Sequence, residues 1–279
     1  MEIRNNRRIY KKHYDYYWGE YSELAKQRLD HWEEIKKSLL SEAIDDYRLK
    51  KRFRAVKWRY SNHPLCTVGS LKDPVGGRFN IGNMNPDLVP RFSALYIAQD
   101  KETAEQELLL PKGHPKLSPF DFSLTDSSSI SIVAVQGILD TVFDIRGDTK
   151  LKGIIKILSQ FKFSPALKKL GSSLKIDRKI VKTRKQMYDS ISEIKWRNKP
   201  MDFDVPSNSQ IFGQMVRAAG ISGILYKSNI TQKECLVIFP TNFKNSSSFI
   251  ELIDKPPNDK IPTKIDNSNF NICETEIEV

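Results

Sequence analysis

Along EYSELAKQRLDHWEEIKKSLLSEAIDDYRLKKRF the apolar residues Leu24, Leu29, Trp32, Ile35, Leu39 and Ile44 recur at three to five positions with charges between them. That is the period of one buried helical face. No glycine follows Gly19 and no proline interrupts the run, so residues 1–51 read as an amphipathic helical extension that packs on a main domain or on a partner. The pattern changes at RAVKWRYSN, where Val56, Trp58 and Tyr60 alternate with polar residues as in a strand. A glycine- and proline-rich loop fills residues 64–90. Residues 92–98 read as a strand, and Asp100 is placed to cap a helix that begins at Lys101.

Further on, SISIVAVQGILDTVFDI offers two β-rich runs broken at Gly137. Residues 150–198 read as mainly helical, with a loop near Gly171-Ser172-Ser173. Gln210 to Ala219 forms a helix that Gly220 ends, since glycine takes the left-handed conformation of a C-terminal cap without a steric cost. GILYKS and CLVIFP follow as a pair of strands. From about residue 246 the chain is polar, with Pro256, Pro257 and Pro262 and an acidic end, ETEIEV, which suits a surface strap or a partly disordered tail. The expected architecture is α/β, or mixed α+β, around one cleft. Its parts are a helical extension over residues 1–51, a core over 52–245 with a basic helical insertion at about 150–199, and a polar tail over 246–279.

Composition narrows the class. The chain has 279 residues, 39% of them hydrophobic and 28% charged, enough for one large domain with extensions. No run approaches the roughly 18 apolar residues of a membrane span, and no apolar segment follows the basic start, so a cytoplasmic protein without a membrane partner is expected, delivery into another cell being left open. Three separated cysteines argue against a disulfide framework, and the four histidines show no metal-ligand spacing. His63 and Cys66 alone, with Pro64 between them, make no metal site. Much of the net charge of +11 falls in the insertion. Such a face is a solvated helical surface, or it holds an acidic partner, an anionic substrate or nucleic acid. Its irregular aromatics do not favour nucleic acid, which is not excluded.

The chemistry-bearing candidates are individually ambiguous. Gly76-Gly77-Arg78 permits close backbone approach beside a guanidinium that can fork onto phosphates, and it fits a plain turn with a surface arginine as well. Tyr96 suits a strand core or a stacking platform. Glu105 and Glu107 flank the buried stripe of Ala104 and Leu108, and periodicity does not choose between them. Ser228 alone is a polar strand end. Ser207 and Ser209 precede the Gln210 helix as a cap or as extra contacts.

Taken in order, GGRFN, LYIAQDKETAEQE and AAGISGILYKS ahead of CLVIF resemble the RES domain, a family named for an arginine, a glutamate and a serine. The resemblance covers roughly residues 52–245 and takes in Arg59-Tyr60. The family pattern maps its arginine to Arg78, tyrosine to Tyr96, glutamate to Glu107 and serine to Ser228, with Asn80 inside the first motif. The resemblance implies an α/β fold similar to ADP-ribosyltransferase toxins and an activity that breaks the nicotinamide–ribose bond of NAD⁺, passing ADP-ribose to water or inorganic phosphate. It also implies a toxin paired with an antitoxin or immunity protein. NAD⁺ would be substrate, and no true cofactor or metal is expected. The chain departs from the family in its length. It also lacks the asparagine that shorter relatives often carry soon after the serine, for which Asn229 and Cys235 are poor substitutes.

The residue types suit that reaction. Cleavage builds oxocarbenium-like charge on the ribose, which a carboxylate such as Glu107 can stabilise. Arg78, helped by Arg59, would hold the pyrophosphate, Tyr96 would stack on nicotinamide, and Ser228, Tyr60 and Asn80 would contact substrate. A mono-ADP-ribosyltransferase acting on a macromolecule is the alternative enzyme. A non-catalytic protein binding nucleic acid or an acidic partner through the basic face is the alternative of another class. The insertion would be a lid, a homo-oligomer contact or the surface a partner covers.

Overall fold

The computed structural model describes residues 2–109, 129–177 and 179–271. Two helices open the chain, α1 (Glu2–Asp30) and α2 (Trp32–Glu42). The helical reading then stops short of residue 51. Ala43 turns extended, and Ile44–Lys57 forms a long strand, β1. Its basic residues suit a helix or a strand equally. Pairing along β3 (Ile130–Asp144) decides between them, because strand propensity is set mainly by neighbours. The expected strand at RAVKWRYSN is therefore only the end of β1. Trp58–Tyr60 is a 3₁₀ turn, and Trp58 is exposed rather than inward-facing.

Five strands close on themselves in the order β1, β2 (Leu95–Ala98), β5 (Glu234–Ile238), β4 (Gly223–Lys227), β3 and back to β1. The result is a mixed α/β protein with a barrel-like sheet. All pairings in the ring are antiparallel except β3 with β4. Gly137 does not break β3. It sits where β1 bulges between Leu49 and Arg52, and a Cβ there would overlap the Phe249 carbonyl of the neighbouring strand. That neighbour is β6 (Phe249–Leu252), which adds to β3 and is followed by β7 (Lys264–Ile265). The polar tail thus belongs to the sheet as far as Ile265, because Ile250 and Ile265 are buried in it. The acidic end from residue 272 lies outside the described residues.

Strand alternation sorts the core into two sides. Leu95, Ile97, Leu225, Leu236 and Ile238 point to one cluster with Leu139, Val142 and Phe243. Ala98, Ile224, Tyr226, Cys235 and Val237 point to the other, with Tyr96 partly buried beside them. This second side is covered by α2, α5 (Lys152–Leu158), α7 (Arg184–Ile191) and α9 (Asn208–Ala218), which contribute Ile35, Ile154, Met187 and Phe212. Helix α9 starts at a reciprocal capping box between Ser207 and Gln210 and ends before Gly220 at φ +90°.

The basic insertion is a helical layer comprising α5, α6 (Pro165–Ser173), α7 and α8 (Asn198–Phe203). Leu167, Met187, Ile191 and Trp196 are buried while Lys168, Lys169, Lys182, Arg184 and Lys185 stay exposed. The expected loop at Gly171 is the last turn of α6, where the missing side chain lets Tyr16 of α1 approach. Helix α1 fastens this layer. Trp18 Nε1 donates to the Phe203 carbonyl, Gln27 exchanges hydrogen bonds with Lys162, and buried Glu20 pairs with Lys199 at 3.0 Å. No helix among the described residues is long and apolar enough to cross a membrane.

Candidate functional site

The site grows from the loop between α3 (Val68–Lys72) and β2. Gly76 takes φ +83°, and at Gly77 a Cβ would overlap the Tyr96 hydroxyl and the Asn80 amide oxygen, so both glycines are required by geometry. Gln210, fully buried at the start of α9, donates through Nε2 toward the carbonyls of Val75, Gly77 and Asn80 at 2.7, 3.1 and 3.0 Å. Gly213, one turn further, lets the helix backbone touch Phe79. A strand-borne tyrosine and a helix thus grip one glycine loop.

Asn80 is the knot of that loop. Its Oδ1 accepts from the Gly77 N–H and the Tyr96 hydroxyl, each at 2.9 Å. Its Nδ2 donates to the Ser70 and Phe92 carbonyls, each at 3.1 Å. With no exposed surface and these bonds in place, Asn80, expected as a substrate contact, holds the loop from within. Tyr96 Oη also accepts from the Phe79 N–H at 3.0 Å. Burial pushes the Tyr96 phenol well above its ordinary pKa, so it stays a proton donor to Asn80.

Arg78 is 5% exposed. Burial lowers its guanidinium pKa, and Tyr226, Glu107, Tyr96 and Cys235 act against that electrostatically. Nη2 donates to the carbonyls of Ser192 and Glu193, both at 3.0 Å, while Nε has no hydrogen-bond partner among the described residues. An unpaired buried donor is costly and marks a place where structure alone does not account for the residue.

Helix α4 (Lys101–Leu109) is capped as expected, with Asp100 Oδ1 accepting from the Thr103 N–H at 2.9 Å. Of its two candidate carboxylates, Glu107 meets Ser228, whose Oγ donates to Glu107 Oε1 at 2.6 Å. That hydroxyl also accepts from the Ile230 and Thr231 N–H groups and is fully buried, so it holds Glu107 in place and is not open to a ligand. Ser207 is an N-cap, and Ser209 is buried against it.

The structure therefore brings together Arg78, Tyr96, Glu107 and Ser228. Arg59 is exposed over the Tyr60 ring at 4.8 Å, and Tyr60 lies against Gly69. No hydrogen bond or ring contact joins either to those four among the described residues.

Sequence reasoning missed three participants. Tyr226 lies on the helix side of β4 with its ring 4.9 Å from that of Phe79, and alternation back from Ser228 would have placed it there. Arg54 is buried on β1 and donates to the carbonyls of Pro64, Cys66 and Tyr96, in step with Val56. Arg197, from the insertion, reaches the Gly76 carbonyl at 3.4 Å, and no local signal marks it. Among the described residues no group of three or more His, Cys, Asp and Glu side chains is placed to hold a metal. Burial pushes the Cys66 thiol pKa up.

No protein-family model and no curated protein matches the chain. Among solved structures, a chain from the crystal structure of the M. tuberculosis MbcT–MbcA toxin–antitoxin complex is similar with a TM-score of 0.40 at 11% identity. The match covers 87% of this chain and 97% of that one. Function is accordingly read from the site itself.

Proposed function

We propose that the protein consumes NAD⁺ by breaking the nicotinamide–ribose bond, and that it acts as a toxin restrained by an antitoxin or immunity protein. The observation that carries the reading is the Glu107 carboxylate held by Ser228 within electrostatic reach of Arg78. Those residues come from the three separate sequence stretches that resemble the RES domain.

Each group has work in that reaction. Glu107 faces the ribose and stabilises the positive charge that develops as neutral nicotinamide leaves. Fixed beforehand by the Ser228 hydroxyl, it does not reorient during the reaction. The Tyr96 ring, its hydroxyl engaged by Asn80, offers a flat face for nicotinamide. Arg78 supplies buried positive charge on the phosphate side of the cleft. ADP-ribose passes to water or to inorganic phosphate as co-substrate.

The test incubates the purified chain and its Glu107→Ala variant with NAD⁺, with and without phosphate, and resolves products by mass. Loss of NAD⁺ with wild type alone is expected, and ADP-ribose or its 1″-phosphate names the acceptor. Label retained on a macromolecule would move the assignment to an ADP-ribosyltransferase. Intact NAD⁺ with folded wild-type protein would overturn the catalytic reading.

A further inference from the structure

The insertion does more than cover the sheet. Its turn between α7 and α8, Ser192 to Arg197, meets the glycine loop at two points. At one end the Ser192 carbonyl accepts from Arg78 Nη2 at 3.0 Å and from Asn229 Nδ2 at 2.9 Å, and the Glu193 carbonyl accepts from Arg78 as well. At the other end Arg197 Nη2 lies 3.4 Å from the Gly76 carbonyl, and its guanidinium stands 4.9 Å from the ring of buried Trp196. Two arginines therefore flank Gly76-Gly77, one beneath the turn and one carried by it.

Their circumstances are opposite. Arg78 is almost fully buried, with Nη2 committed to two carbonyls that a phosphate would have to displace and only Nε buried without a hydrogen-bond partner among the described residues. Arg197 is half-buried and makes one carbonyl contact at the long limit of a hydrogen bond. No carboxylate pairs with it among the described residues. Its planar fork can turn to a pair of phosphate oxygens at the cost of that one long contact, and the Trp196 ring lies 4.9 Å from its guanidinium. Its charge is felt by Tyr96, where it acts against the effect of burial.

We propose that Arg197 is the residue that grips the substrate's pyrophosphate, and that Arg78 is a positioning residue on which the turn carrying Arg197 is hung. The inference rests on the NAD⁺ reading and deepens it: the basic insertion completes the site, and specificity for a dinucleotide resides in it. Lys195, exposed on the same turn, carries equal charge without a place at the loop, so it serves as the control.

The test measures ADP-ribose binding by calorimetry and NAD⁺ turnover for the full chain and for Arg197→Gln, Arg197→Lys and Lys195→Gln. Arg197→Gln is expected to weaken ADP-ribose binding and raise KM about tenfold, equivalent to about 1.4 kcal/mol, with kcat within about threefold of wild type. Arg197→Lys should recover part of the loss, and Lys195→Gln should match wild type. Affinity for ADP-ribose within about twofold of wild type in Arg197→Gln would overturn the proposal, as would a fall confined to kcat. A wild-type chain that neither binds ADP-ribose nor consumes NAD⁺ would instead sink the dinucleotide reading, and this inference with it.

Discussion

Ser228 Oγ donates a 2.6 Å hydrogen bond to Glu107 Oε1, joining the end of β4 to the side of α4. The serine's remaining capacity is taken by the Ile230 and Thr231 N–H groups, so its proton has one acceptor and one direction. A residue expected to touch substrate is here engaged in fixing the carboxylate proposed to act on the ribose. Ser228→Ala should therefore lower kcat for NAD⁺ consumption about tenfold or more while leaving KM nearly unchanged, in steady-state assays on protein shown folded by circular dichroism. A rise in KM with kcat intact would return Ser228 to a substrate contact.

The glycine loop has no room for a methyl group at Gly77, where a Cβ would overlap the Tyr96 hydroxyl and Asn80. Gly77→Ala should destabilise the protein by about 1–3 kcal/mol in urea unfolding, the usual cost of overpacking. Adding Tyr96→Phe removes the atom met most closely, so the double variant should lose less than the sum of the two single ones.

Asp144 and Arg146 join with Glu234 and Arg52 into an ion network across β3, β5 and β1. Burial pushes the Asp144 carboxyl up, but the hydrogen bonds and charge of Arg146 outweigh it and leave the pKa below the usual carboxylate range. A carboxyl lowered in the folded state contributes stability that is present above its unfolded pKa of about 3.9 and lost as pH falls through the folded value. Below about pH 4 wild type should lose stability more steeply than Asp144→Asn, read as unfolding midpoints across pH 2–6.

Glu20 and Lys199 pair at 3.0 Å with their side chains only 4% and 12% exposed, fastening α1 to α8. Glu20→Ala removes the carboxylate from this buried pair and should cost about 3–5 kcal/mol in chemical denaturation. The double change Glu20→Leu with Lys199→Met should recover most of that, which a purely steric role for Glu20 would not allow.

Much of the local structure was legible in the sequence. Asp100 and Ser207 announce helix starts, Gly220 a helix end, and the short apolar runs GILYK and ECLVI a strand pair, because each depends on groups within a few residues. The readings that failed were those a distant partner decides. Ile44–Lys57 is a strand because β3 lies alongside it. Gly137 continues a strand because β6 crowds it, and the tail joins the sheet as far as Ile265 through β6 and β7.

The candidate site divides the same way. By itself the sequence determined the residue types and their order: a double glycine before Arg78, Tyr96 on a strand, Glu107 on the helix after it, and Ser228 at a strand end. Tertiary structure alone decided what each can do. It set Ser228 beside Glu107, closed Asn80 into the loop, and brought Arg197 to Gly76 from a remote segment. The physical reason is that a side chain's role depends on which of its donors and acceptors remain free after folding, and most of the groups that engage them here come from elsewhere in the chain.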